Sequence, residues 1–244
     1  MALLLALAAA PAAAQQSEAP KRAVVELFTS QGCASCPPAD RLICGYAHDA
    51  SVVVLTLPVT CWDYLGWRDT LAHEKFTKRQ RIYAKLRGAQ RIYTPQVVVN
   101  GVLHMIGSDE AALSKALAPA SEPAALPVKV EIDENGNSFR VVVTAEATER
   151  ATVLLAPFYQ EKTVAVDGGE NQGQRLTYTN VVRDLVPLAP LMPSRSGEPV
   201  VIDVARRDAL PDNTDGFAIL VQGGEPKTPG QMLGAATFVA KATH

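Results

Sequence analysis

Charge of one sign is missing from this chain: 23 Lys and Arg stand against 25 Asp and Glu, a formal net charge of −2 over 244 residues. That balance leaves no electrostatic grounds for binding nucleic acid or an anionic membrane surface. A long apolar run is missing too. The leucine- and alanine-rich start, Met1 to Ala14, breaks at Gln15, short of the roughly 20 residues a helix needs to span a bilayer. Stable membrane insertion is therefore not expected. No cysteine follows that stretch, so lipid attachment there is not expected either. GxSxG, Walker, HExxH and paired CxxC patterns are absent, leaving serine-hydrolase, phosphate-loop and common zinc chemistry without a signature. Neither a metal nor another cofactor is expected. Beyond the first 16 residues no internal repeat or low-complexity segment stands out.

What is present begins with a leader. Residues 1–16 combine an apolar segment with the small-residue run Ala12-Ala13-Ala14, the pattern of a signal peptide, although no Lys or Arg stands near Met1. A periplasmic or secreted protein follows, in a compartment where disulfides form and persist. The whole sequence is 48% apolar, enough to fill ordinary cores. A proline- and alanine-rich stretch, Pro119 to Ala125, marks a linker. It divides residues 22–120, where strand and helix patterns alternate, from residues 126–242, where the period falls to two.

The first of these segments carries the chemistry. Ala23 to Thr29 is apolar and β-branched, and Gly32 then leads into Cys33-Ala34-Ser35-Cys36-Pro37-Pro38. Two cysteines so spaced at a helix start share one face. The unpaired N–H groups and dipole there lower a thiol pKa from about 8.5 toward neutrality. A strand over Ser51 to Leu57 and a helix over roughly Thr70 to Leu86 follow. Next comes Ile92-Tyr93-Thr94-Pro95-Gln96-Val97-Val98-Val99-Asn100-Gly101-Val102, whose Asn-Gly between apolar runs predicts a hairpin. A closing helix is predicted over Asp109 to Leu117.

This order, with VELFTSQGCASCPPAD, WDYLGWRDTLA, YTPQVVVNG and GENQGQRLTYTNVVR, resembles the thioredoxin superfamily, and more narrowly the bacterial secreted family of unknown function known as DUF1223. The resemblance spans roughly residues 22 to 183. It implies a fold and a cysteine pair, with no established reaction. It also implies that Thr94-Pro95 is a cis-proline bend facing the cysteines, and that Glu26 is a buried acid beneath them that takes the resolving proton. Taken as residues alone, Pro95 is a rigid turn and Glu26 an edge carboxylate.

The fold expected is thus an α/β thioredoxin-like domain followed by an all-β, small sandwich-like C-terminal domain. In the latter, strands are predicted over Val128 to Ile132, Phe139 to Val143, Thr152 to Tyr159, Lys162 to Val166, Val200 to Val204 and Phe217 to Gln222. The expected function is thiol–disulfide exchange with protein or small-molecule thiols and disulfides. Cys33, the more exposed, attacks, Cys36 resolves, and Thr94 offers backbone groups to the substrate. A soft-metal (copper) carrier and a binding protein with a structural Cys33–Cys36 bridge are the alternatives. Trp62, Tyr64 and Trp67, at the carboxyl end of the second strand, and Tyr93 beside Thr94 form an aromatic wall for substrate, or else anchor their loops by ring packing. An even cysteine count in an oxidising compartment favours a second bridge, Cys44 to Cys61; otherwise Cys61 joins the redox relay. Arg79, Arg81, Lys85, Arg87 and Arg91 read as a solvated helix face, and His104 as a surface strand residue or a neighbour of the sulfurs.

Overall fold

A computed structural model describes residues 21, 23–118, 126–144, 149–193 and 197–241. The expected leader (1–16) and linker (119–125) lie outside these residues. The first half runs β1 (Ala23–Thr29), α1 (Pro37–Tyr46), β2 (Val52–Pro58), α2 (Glu74–Leu86), β3 (Gln96–Val99), β4 (Leu103–Ile106) and α3 (Glu110–Leu117). The second half holds β5 (Lys129–Asn135), β6 (Ser138–Thr144), β7 (Ala151–Ala165), β8 (Arg175–Val182), β9 (Val186–Leu191), β10 (Val200–Ala205), α4 (Arg206–Ala209), β11 (Gly216–Glu225) and β12 (Thr228–Val239).

The expected pair of folds does not stand. Of the described residues 45% are strand and 18% helix, and strands from both halves share one mixed sheet of nine. Its order is β12-β11-β7-β8-β2-β1-β3-β4, with β9 paired to β7. The join is β8, which pairs parallel with β2 at Thr56 and Val181. An exposed β2 edge would leave a row of unpaired backbone groups, and β8 covers it. The sequence reading has no strand over β8, β9 or β12, and splits β7 in two, so nothing in it bridges the halves. A second sheet, β10-β6-β5, packs across the β7–β11 wing through Phe139, Val141, Val143, Val153, Phe217 and Ile219.

Side-chain alternation along β1 places the two helical layers. Val24 and Phe28 pack with Phe76 and Tyr83 of α2 and with Leu154 and Leu220 of β7 and β11. Val25 and Leu27 pack on the opposite face with Ala39 and Ile43 of α1 and Leu113 and Leu117 of α3. The sharp turn between β3 and β4, closed by the Val102 N–H on the Val99 carbonyl, uses positive φ at both Asn100 (51°) and Gly101 (74°), as a type I′ turn demands.

Candidate functional site

Cys33 and Cys36 are joined as a disulfide in the loop from β1 into α1. Cys36 is the N-cap of α1, with Pro37 and Pro38 at positions that need no N–H donor. The first helical bond runs from the Asp40 N–H to the Cys36 carbonyl, so Asp40 lies one turn below Cys36. The loop approaches its neighbour closely at Gly32. A Cβ there would lie 3.2 Å from Trp62 Cβ and 3.3 Å from the Trp62 carbonyl.

Thr94 and Pro95 are joined by a cis peptide bond, and this bend faces the disulfide. The Thr94 hydroxyl donates to Cys33 Sγ at 3.2 Å and accepts from Trp62 Nε1 at 2.6 Å. Trp62 stacks on Tyr64, which is 74% exposed. Trp67 is turned inward, its Nε1 donating to Gln31 Oε1 at 2.8 Å. Tyr93 contributes its carbonyl to Gln80 and lies under the Arg87 guanidinium. Of the four aromatic residues, Trp62 reaches Cys33 through Thr94, Tyr64 stacks on Trp62, and Trp67 anchors the loop.

Cys33 is less accessible than the sequence leads one to expect: it is 3% exposed, and Cys36 is fully buried. Ala34 and Ser35 form the exposed rim above them. The cover comes partly from the β7–β8 connection. Asn171 Nδ2 donates to the Gln31 carbonyl at 2.9 Å and to the Cys33 carbonyl at 3.0 Å, and Glu170 Oε2 accepts from the Ala34 N–H at 3.3 Å. From the other side Asp69, itself buried, accepts from the N–H groups of Gln31, Leu71 and Ala72. Burial raises the Asp69 carboxyl, and those three donors oppose the rise.

Glu26 is not beneath the dithiol. As an even-numbered residue of β1 it points to the α2 face, where Arg79 donates from Nε at 2.6 Å and Nη2 at 3.2 Å, and Tyr83 from its hydroxyl at 2.7 Å. Gln222 of β11 closes this network by accepting from Arg79 Nη2 and donating to the Tyr83 oxygen. Arg79 therefore leaves the expected solvated face. The buried acid on the α1 side is Asp40, which sequence reasoning missed. Its carboxyl is fully enclosed, and burial pushes it up to about 8. The Thr29 hydroxyl beside it opposes that rise, while the Tyr178 hydroxyl of β8 has no hydrogen-bond partner among the described residues. The missed signals are periodicities: Asp40 at i+4 from Cys36, and Thr29 on the odd face of β1.

Cys44 and Cys61 are free thiols, not a bridge. Cys44 lines a cleft of about 420 Å³ beside Val52, Val53 and Val54, at the start of β2. Cys61 lies past the far end of that strand, whose seven residues span about 20 Å. A disulfide needs Cα atoms within about 7 Å, so β2 itself keeps the two apart. Burial pushes the Cys61 thiol up to about 11, which leaves it protonated and unsuited to a redox relay. His104 is exposed on β4. Among the described residues no group of three or more His, Cys, Asp or Glu could hold a metal ion, and no helix is long and apolar enough to cross a membrane.

Residues 24–222 match the family described as a protein of unknown function, DUF1223. The crystal structure of a protein from Agrobacterium tumefaciens is 32% identical, with a TM-score of 0.80, covering 93% of this chain and 98% of that one. The human F-spondin reeler domain covers 46% of this chain at 10% identity, with a TM-score of 0.25, too low to carry any argument. No curated protein matches the chain.

Proposed function

We propose that this chain, which belongs to the DUF1223 family, is a thiol–disulfide oxidoreductase acting through Cys33 and Cys36. The observation that carries the proposal is the Thr94 hydroxyl donating to Cys33 Sγ at 3.2 Å, with Cys36 capping α1 beside it. A thiolate at Cys33 gains from that hydrogen bond and from the unpaired N–H groups of the first helical turn. In the reduced protein Cys33 attacks a substrate disulfide, forming a mixed disulfide and releasing one substrate thiolate. Cys36 then attacks Cys33 Sγ, releasing the second thiolate and closing the Cys33–Cys36 bond. The protein dithiol is oxidised by two electrons and the substrate disulfide is reduced to two thiols. Asp40, one turn below Cys36, takes the Cys36 proton before that second attack in the ionised fraction that grows as pH approaches 8. Trp62 and Tyr64 supply apolar surface to the substrate beside Cys33. The setting proposed is the periplasm or the secreted milieu, on the strength of the leader-like residues 1–16.

Cys36→Ala tests the mechanism. It should trap disulfide adducts through Cys33 when incubated with an extract of disulfide-containing proteins or with oxidised glutathione, and Cys33→Ala should trap none. Absence of adducts in both variants sinks the mechanism. The burial of both sulfurs favours a second reading, a structural bridge. Equilibration against glutathione separates the two, since a structural disulfide has a potential below about −300 mV.

A further inference from the structure

Helix α2 ends at Leu86, and the chain then wraps back through Ala89, Gln90, Arg91 and Ile92 toward Thr94. Between this return and Cys61 lies a cleft of about 540 Å³, the size of a small-molecule site. Arg81, Lys85 and Arg91 line it, and no carboxylate does. The nearest acid of α2 is Glu74, which Arg81 engages at 3.0 Å and which also accepts from the Thr60 hydroxyl at 2.7 Å. Lys85 and Arg91 are exposed and form no ion pair among the described residues. Lys85 is not needed to satisfy the α2 carboxyl end, because the N–H groups of Arg87, Gly88 and Ala89 already bond the carbonyls of Tyr83, Lys85 and Ala84. Next to the cleft, Arg87 lies over the Tyr93 ring with its buried Nη1 free of any partner among the described residues. The position is as informative as the charge. Cys61 and Ile92, on the cleft wall, flank in sequence the Trp62–Thr94 pair whose hydroxyl reaches Cys33.

We infer that this basic cleft holds the anionic end of a small carboxylate-bearing disulfide or thiol while its sulfur meets Cys33 past Trp62 and Thr94. The inference rests on the exchange reaction proposed above and names its substrate class. Lys85 and Arg91 bind the carboxylate. The chemistry at sulfur is the two-step exchange already written, with the anionic disulfide reduced to two thiols as Cys33 and Cys36 close.

Three disulfides of matched size test it: dithiodipropionate (dianion), hydroxyethyl disulfide (neutral) and cystamine (dication), each mixed with the reduced protein at low ionic strength. Reaction with the dianion should exceed that with the neutral disulfide by about tenfold, and the dication should be slowest. In Lys85→Gln/Arg91→Gln the ratio of dianion to neutral should fall toward one, and added salt should lower it in the native protein. Suberate, an eight-carbon dianion with no sulfur, provides a readout independent of exchange. It should shift the backbone amide resonances of Arg91 and Ile92 in the native protein and leave them unmoved in the double variant. A ratio near one in the native protein, or suberate shifts equal in both proteins, overturns the inference. Suberate bound in the cleft with no exchange for any disulfide overturns the reaction and its substrate assignment, and leaves an anion site alone.

Discussion

At the scale of single residues, the choice between Glu26 and Asp40 turns on which face of β1 each can reach. Glu26 is spent in a buried ion pair with Arg79, an arrangement that breaks expensively if one partner is removed. Asp40 has no salt bridge among the described residues, and burial, opposed by the Thr29 hydroxyl and the Arg41 charge, holds its carboxyl at about 8. The consequence for stability has a definite sign. Below about pH 4 folded and unfolded chains both hold the Asp40 proton; between about 4 and 8 only the folded chain does; above 8 neither does. Stability therefore declines as pH rises through that window, by at most about 1.4 kcal/mol per pH unit from this group. Asp40→Asn should flatten the decline, read as the difference in urea midpoint between pH 5 and pH 8 for each protein. Identical pH dependence in both proteins would contradict the enclosed carboxyl. The acid beneath the sulfurs was legible in the sequence only as a type of residue. Its position needed the knowledge that α1 sits on the odd face of β1.

Among the elements, the β7–β8 connection is the one whose role the sequence hides. Its GENQGQ run lies within residues 24–222, the span that matches the family, yet about 140 residues from the cysteines. Asn171 nonetheless spans the carbonyls of Gln31 and Cys33. Asn171→Ala removes a donor from two buried acceptors, a loss of about 1–3 kcal/mol. The same variant should let dithiothreitol reduce Cys33–Cys36 several-fold faster, followed by alkylation of the released thiols. An unchanged reduction rate would mean that something other than this connection holds the sulfurs under cover. The WDYLGWRDTLA segment divides its labour in a way composition alone could not assign. Trp67 and Asp69 fasten the loop before the cysteines, and Tyr64 faces solvent.

For the whole molecule, the decisive contact is the parallel pairing of β8 with β2. It merges both halves of the chain into one sheet and one core, in which Phe76 and Tyr83 pack with Leu154, Val182 and Leu220. A core shared in this way predicts a single cooperative unfolding transition. Trp62 and Trp67 fluorescence, which reports the first half, should lose its native signal at the same urea concentration as the far-ultraviolet signal, which the strand-rich second half dominates. Two separated transitions would show that the halves are independently stable.

Local pattern was enough to establish the cysteine pair at the mouth of α1, the Asn-Gly hairpin, the first seven elements in their order and the strands of β5, β6, β10 and β11. Each of these depends on periodicity, turn chemistry or capping within a few residues. Tertiary structure alone decided that β8 closes the β2 edge, that Glu26 pairs with Arg79 on the α2 face, that Cys44 and Cys61 stand at opposite ends of β2, and that Asn171 seals the cysteine loop. Those outcomes depend on which faces and edges meet between parts of the chain as much as 140 residues apart, and side-chain period within a strand or helix says which faces exist without saying what will cover them.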